Sequence, residues 1–512
     1  MAIPEAEPLE APAPGQPGPE AKRSASSPDD HGVDVALGNR RHGAASCCSG
    51  LWRAARCVTV EPVLFSYMFA FMLTSVVEQD FYVDRACRAH LNLSDYVCSH
   101  IRDKGNEDDL SRVQIEVASF YQYNGIASNA VPFILALFLG SWSDRRGRKL
   151  LLLLGLAGQI YYFAMLTLVS TQVTWRLETV LALASFPAAL TGSNLAIFAS
   201  TFSYMADISS TADRTLRIAI LDGSYLASMP TGIALGSYLF RSVVNRSFTI
   251  MFIINTVIMT CTFLYSLVRL KWQTADSQKP LKGVNICTDF FDWKHVVDSL
   301  RAVVRPRANH GRLYLLLIIL SMGLYTFQRN ERQMSFLYTQ KQFKWSVSEF
   351  SDFRTFQTAT YAVVTLLGAP LLTKLCGLKD SVIVLIGAPA HAIARVIFAL
   401  AEVPWLFYFG AGVSSLGPTV APVLRSMTSK VVSFEERGKV FAILAVADSA
   451  VPLVSSVIYT QVYHATLNSY PAAIYWVTVA SQGLVFIFIL IVHFSMKKTF
   501  SSDIQALDAE GK

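Results

Sequence analysis

Apolar residues in this chain gather into runs of roughly 20, the length that crosses a hydrocarbon core. Twelve such runs can be counted, at 61–83, 120–140, 150–169, 177–205, 217–240, 248–269, 313–339, 355–374, 381–401, 404–427, 438–463 and 471–494. Of the 512 residues 52% are apolar and only 16% charged, against about 25% charged in an ordinary soluble domain. The pattern predicts an all-α membrane protein of twelve transmembrane helices. A polar stretch at 271–312 divides it into six plus six, giving an N-terminal bundle at 57–270 and a C-terminal bundle at 313–495. Residues 1–56, rich in Pro, Ala, Gly and Ser with no apolar period, read as a disordered cytoplasmic tail, and 496–512 as a second tail.

The direction of the spans follows from their charges. Gly140-Ser-Trp-Ser-Asp144-Arg145-Arg146-Gly147-Arg148-Lys149 sits between the second and third runs and is mostly turn formers and charge. Translocating Lys and Arg is disfavoured, which holds this loop on the cytoplasmic side. With the N-terminus inside, loops and span ends place 29 Lys and Arg in the cytoplasm and 11 outside, so both termini are expected inside. The net charge of +7 is then a matter of topology and not of nucleic-acid binding. The same orientation puts the sequons at Asn92 and Asn245 outside, Asn92 in the roomier loop. Cys87 and Cys98 share that outer loop, where a disulfide is expected. Cys47 and Cys48 read as free thiols or palmitoylation sites, and Cys261 and Cys376 as small buried hydrophobes. The eight cysteines form no metal-ligand pattern, and no nucleophile elbow or phosphate loop occurs, so neither an enzyme nor a cofactor is expected. The halves repeat weakly: Arg214-Thr-Leu-Arg-Ile-Ala-Ile-Leu221 returns as Arg437-Gly-Lys-Val-Phe-Ala-Ile-Leu444. Parallel repeats of this kind mark duplicated transporter folds.

Gly140, Asp144, Gly147, Arg148 and Lys149 match the loop pattern of the major facilitator superfamily, which the chain resembles over its twelve spans, linker and repeat. A narrower resemblance is to the proton-coupled folate transporter family, solute carrier family 46. It is carried by Glu61-Pro-Val-Leu-Phe65, Leu139-Gly-Ser-Trp-Ser-Asp144, Ala206-Asp-Ile-Ser-Ser210, Arg217-Ile-Ala-Ile-Leu-Asp222-Gly-Ser224 and Pro422-Val-Leu-Arg425-Ser-Met-Thr-Ser-Lys430. The resemblance implies the major facilitator fold of two pseudo-symmetric six-helix bundles. It makes Gly140, Asp144, Gly147 and Arg148 gate residues, the Asp and Arg bridging the halves in the outward-open state. Asp222 stands at a family Glu implicated in proton coupling, and Arg425 at an Arg linked to substrate and protons. Two family features are missing: a span-seven His, whose nearest position here is Tyr325, and a span-four Asp, replaced by Ser193.

An ionisable residue inside a span is expensive and a functional candidate. Asp222, five residues into span five, could be protonated in a low-dielectric cavity, as symport requires. Arg425 ends a Gly- and Pro-broken helix and suits a carboxylate by bidentate pairing. Gln328-Arg329-Asn330-Glu331-Arg332 in span seven should face a cavity, with Glu331 paired to Arg329 or Arg332. Glu78 is expected at the cavity mouth, and Asp448 is expected to pair with Arg395 or Arg425. Tyr121, Tyr123, Tyr161, Tyr162, Phe327 and Trp345 could stack on a pteridine-like ring. Together these predict a monomeric, plasma-membrane, proton-coupled symporter of a bulky, folate-like organic anion. The expected coupling residues are Asp222, Glu78 and Asp448; the expected substrate contacts are Arg425, Arg329, Glu331 and Tyr325. An endolysosomal exporter of muropeptides or steroid conjugates is the second reading, and a non-transporting receptor or scaffold the third.

Overall fold

The computed structural model describes residues 58–510, apart from short stretches within 211–212, 275–292, 308–310, 369–376 and 433–435. The N-terminal tail with Cys47 and Cys48, Cys376, and parts of the linker lie outside the described residues. Those that are described are mostly helical, with no strand among them. Before the linker come α1 (Glu61–His90), α2 (Glu107–Arg146), α3 (Arg148–Thr171), α4 (Leu177–Ile208), α5 (Arg214–Tyr238) and α6 (Phe248–Arg269). The linker forms α7 (Trp293–Val304). After it come α8 (Gly311–Phe343), α9 (Val347–Val363), α10 (Asp380–Ala399), α11 over 404–431, α12 (Arg437–Thr466) and α13 (Ala473–Glu510).

Ten helices among the described residues are long and apolar enough to cross a membrane. The other two expected spans are irregular. The eighth runs from α9 into a π turn, Val364–Gly368. In α11, a 3-10 segment, Ser414–Thr419, interrupts the α-helix, because Gly417 and Pro418 weaken helical bonding there. α4 breaks at the equivalent place in the first half, where Gly192 takes φ +78°.

Local chemistry explains the boundaries. Ser247 and Ser346 cap α6 and α9, Ser346 within a capping box with Glu349, so α9 begins well before the apolar run at 355. The expected ten-residue loop between the second and third spans is much shorter. α2 continues through Arg146, and Gly147 alone makes the turn at φ +107°, a backbone conformation that favours glycine. A Cβ there would lie 2.4 Å from the Trp272 carbonyl. Gly140 is different: it lies mid-helix, and a Cβ would meet nothing within 4 Å. No described neighbour therefore approaches Gly140 closely enough to require a glycine there.

The halves meet along α2 with α12 and α5 with α9. Hydrogen bonds across this seam gather at the end that carries the Cys87–Cys98 disulfide. Gln114 donates to the Leu337 carbonyl at 2.8 Å and accepts from the Tyr463 hydroxyl at 3.0 Å, and Thr460 donates to the Ala118 carbonyl at 3.1 Å. One apolar core runs through both halves here, from Phe81 and Tyr121 to Phe336 and Tyr463. Toward the Gly147 end the buried apolar residues separate into clusters within each half: Leu139, Leu151 and Ala196 in one, Ile318, Val384 and Leu424 in the other.

Candidate functional site

The polar centre of the C-terminal half is built where α8 tightens into a 3-10 turn, Phe327–Asn330. Such turns inside a long helix redirect its side chains and often mark functional hinges. Glu331, 3% exposed, accepts from Arg395 Nε of α10 at 3.1 and 3.2 Å and from the Thr478 hydroxyl of α13. Gln328 accepts from Arg395 Nη2 at 3.2 Å. This corrects two expectations. Glu331 pairs with neither Arg329 nor Arg332, and it is enclosed as a structural anchor, its charge offset by the pair with Arg395 and the hydrogen bond from Thr478.

Arg329 and Arg425 stand the other way, each about half exposed, with a guanidinium 3.5 Å from Asp448 Oδ2. Asp448 thus pairs with Arg425 and Arg329 and not with Arg395, and it also accepts from Thr326 at 2.7 Å. Pro452, one turn on in α12, cannot donate to the Asp448 carbonyl, which loosens the helix there. Across the seam, Asp222 of α5 is half-buried and within electrostatic reach of Arg425. Arg425, Asp448 and Arg329 therefore form a group of alternating charge, and Asp222 of the first half lies within electrostatic reach of its Arg425 without a salt bridge among the described residues.

Sequence reasoning missed two residues. Arg354 was expected in an outer loop, but the capping box starts α9 at Val347 and puts it two turns inside the helix. His391 in α10 is 2% exposed, and neither ring nitrogen has a partner among the described residues. It stacks on Tyr325 at 6.0 Å, and Gly417 lies against it so closely that a Cβ would be 2.0 Å from the ring. The imidazole thus stands beside Tyr325, the position nearest the missing family histidine. Its only sequence signal is a lone His in an apolar run.

The N-terminal half holds its acid differently. Glu78 accepts from the hydroxyls of Tyr82 and Tyr162, both at 2.6 Å, and these hydroxyls are 3.0 Å apart. It sits inside a tyrosine cluster and is partly exposed. Asp80 pairs with Arg102. At the α4 break, Ser193 spends its hydroxyl on the Ala188 carbonyl at 2.9 Å, while Asn194 accepts from Tyr67 and from Gln159 at 3.3 Å. Of the expected stacking aromatics, Tyr121 is buried, Phe327 packs on Tyr459, and Trp345 lies in a cluster with Phe343, Phe353 and Phe407. Tyr123 and Tyr161 are exposed.

At the Gly147 turn, Arg148 donates to Asp207 at 3.0 Å and to Ser143 at 2.6 Å and pairs with Asp144. Lys149 donates to the carbonyls of Leu267 and Leu270 at 2.7 and 2.8 Å. Asp289 of the linker accepts from Arg146 at 2.7 and 2.8 Å and from Trp142 at 3.0 Å. The hydrogen bonds from Arg146 hold the Asp289 carboxyl below the usual carboxylate range. Asp144 and Arg148 thus sit in a network of the first half and its linker. Asn92 and Asn245 are exposed at positive φ near the disulfide end, and their sequon serines cap the helices that follow. Among the described residues, no group of His, Cys, Asp and Glu could hold a metal.

Residues 63–377 match the family model of the Major Facilitator Superfamily. The chain is 25% identical to the probable peptidoglycan muropeptide transporter SLC46 of Drosophila melanogaster, over 80% of this chain and 81% of that one. It is 26% identical to the proton-coupled folate transporter of Bos taurus, over 80% of this chain and 86% of that one. The crystal structure of the human organic anion transporter MFSD10 superposes with a TM-score of 0.58 at 16% identity, covering 84% of this chain and 98% of that chain. The chain is a membrane transporter of the major facilitator superfamily and a divergent relative of solute carrier family 46.

Proposed function

We propose that the protein is a proton-coupled symporter of a bulky organic anion of the folate or antifolate type, working by alternating access. The observation that carries this reading is the charged group Arg425–Asp448–Arg329 with Asp222 within electrostatic reach across the seam. With Asp222 ionised, Arg425 faces two carboxylates. Protonating Asp222 removes one of them and leaves the guanidinium with Asp448 alone and its other edge open to an anion, so proton and substrate bind together. By linkage, each then tightens the other. Asp448 holds Arg425 and Arg329 in place, while Glu78 in its tyrosine cluster is a second protonatable carboxylate. The pairs at Asp144 and Arg148 would exchange partners as the Gly147 end closes. The seam bonds at the disulfide end accord with a state open at the Gly147 end. Positive-inside counting makes that end the cytoplasmic one, with Asn92 and Asn245 as glycosylation sites on the outer face.

The test is pH-jump uptake of a radiolabelled folate into proteoliposomes. Wild-type protein should accumulate it when the outside is acid, and Asp222→Asn should only equilibrate it. Unaltered proton-driven accumulation by that variant would contradict the coupling assignment. A second reading, export of muropeptides from an endolysosomal compartment, is favoured by the Drosophila relative and uses the same charged group.

A further inference from the structure

We propose that the disulfide end of the seam carries an oxyanion site, a cleft between α5 and α9 that takes a sulfate or phosphate group and, when filled, holds that end shut. The proposal rests on the alternating-access reading above, and its ligand is not the transported substrate.

The cleft has about 370 Å³ of empty space and is lined by both halves. The first half supplies Asp80 of α1, Arg102 from the loop that follows the disulfide, Ser237 and Arg241 at the end of α5, and Arg246 from the turn before α6. The second half supplies the first turn of α9 with its cap, residues 346–348. α5 ends in a π turn, Leu239–Val243, a distortion frequent at functional sites. The next turn holds Arg246 at φ +60°, a conformation uncommon for a residue other than glycine, with its amide on the Phe240 carbonyl at 2.8 Å.

The walls carry three guanidinium groups against one carboxylate. Arg102 takes that carboxylate, Asp80, and its Nε is still buried without a partner among the described residues. Arg241 donates across the seam to Ser348 Oγ at 3.0 Å. Arg246 forms no salt bridge or side-chain hydrogen bond among the described residues. Ser237 is 8% exposed, and its hydroxyl likewise has no partner there. The neighbouring acids do not fill the cleft: Glu349 turns onto the Ser346 amide at 2.8 Å, and Asp352 stands exposed further along α9. A tetrahedral oxyanion suits such walls. Each guanidinium fork can bind two of its oxygens in parallel, a hydroxyl can donate to a third, and the positive end of the 17-residue α9 favours its charge.

Because the walls belong to opposite halves, opening the disulfide end would draw α5 away from α9 and dismantle the site. An anion that binds only the closed form stabilises it by mass action. The same chemistry is offered by a free ion and by a phospholipid headgroup at the membrane edge.

The test titrates phosphate and sulfate by calorimetry into delipidated full-length protein in maltoside micelles, at pH 7.5 and fixed ionic strength. Wild-type binding should saturate, and Arg246→Gln and Arg241→Gln should each weaken it about tenfold, the scale of one charge-assisted hydrogen bond. Lys344→Gln, which removes a seam cation paired with Glu107 outside the cleft, should leave it unchanged. Binding that persists in phosphatidylcholine nanodiscs identifies the free ion, and binding blocked in those nanodiscs identifies the lipid headgroup. The hold on the seam is read from maleimide labelling of Thr460→Cys, a position fully buried there against the Ala118 carbonyl. In micelles, phosphate at ten times its Kd should slow that labelling about tenfold, and only about twofold when Arg246→Gln is added. No saturable binding in micelles, or equal binding by the wild type and both glutamine variants, overturns the site. Binding without slowed labelling overturns its hold on the seam. Labelling absent even without phosphate overturns alternating access and that hold together.

Discussion

The two halves solve the same problem, a charge at mid-membrane depth, in opposite ways. In the first half two carboxylates lack an arginine partner among the described residues, although Asp80 has one in Arg102: Glu78 takes two tyrosine hydroxyls, and Asp222 has no salt bridge. The second half is rich in guanidinium groups and confines one carboxylate, Glu331, behind Arg395. A carboxylate held by tyrosines can gain a proton without stranding an opposite charge. A carboxylate locked to a buried arginine cannot. The first half is therefore built to change its charge and the second to keep it, with Arg425 as the contact between them.

Substitutions can break this contrast. The largest effect is expected at Glu331→Ala, which strands buried Arg395 and should cost about 3–5 kcal/mol, read as loss of monodisperse protein. Glu331→Leu with Arg395→Met should recover much of that yield. Glu78→Gln keeps an acceptor for both tyrosines and should melt close to the wild type; a collapse as deep as that of Glu331→Ala would erase the difference between the halves. Next comes Arg425→Ala, for which uptake should fall about 100-fold, the loss of a charge-assisted contact, with the melting temperature little changed.

Gly417→Ala drives a methyl group into the His391 ring and should cost about 1–3 kcal/mol, seen as a lower melting temperature. Gly140→Ala has open space and should be neutral. A small effect is expected at Asp289→Asn. The folded carboxyl lies below its ordinary value, so the clamp to Arg146 contributes fully above about pH 4 and is lost only as pH falls through the depressed value. Between pH 5.5 and 7.5 this variant should lose the same small amount of thermal stability throughout and leave the pH dependence of uptake intact. A changed uptake profile would move proton sensing to the linker.

Much of this was legible in the sequence, and the reasons are physical. Run length identifies a spanning helix because the bilayer sets it, so ten of the expected spans reappear as long apolar helices. Asp222 and Arg425 stand out because a charge in an apolar run is conspicuous. Partners are another matter. Glu331 meets Arg395 across 64 residues of chain, and no spacing rule joins α8 to α10. Arg354 precedes the apolar run of its span, and the signal that places it inside the helix is the Ser346–Glu349 box. The irregular α11 also shows why hydropathy finds helices better than breaks: Ser414–Thr419 is helical by composition at either end and 3-10 only because of Gly417 and Pro418.

The central claim is that Asp222 gives up its charge so that Arg425 can take an anion. Its most direct measurement is the affinity for pteroylglutamate as a function of pH, in nanodiscs, for the wild type and Asp222→Asn. Wild-type affinity should tighten as pH falls, by up to about tenfold per unit if one proton is taken up with the ligand. Asp222→Asn should bind at every pH with the affinity the wild type reaches in acid, and with a flat profile. Equal slopes for the two proteins would contradict the claim.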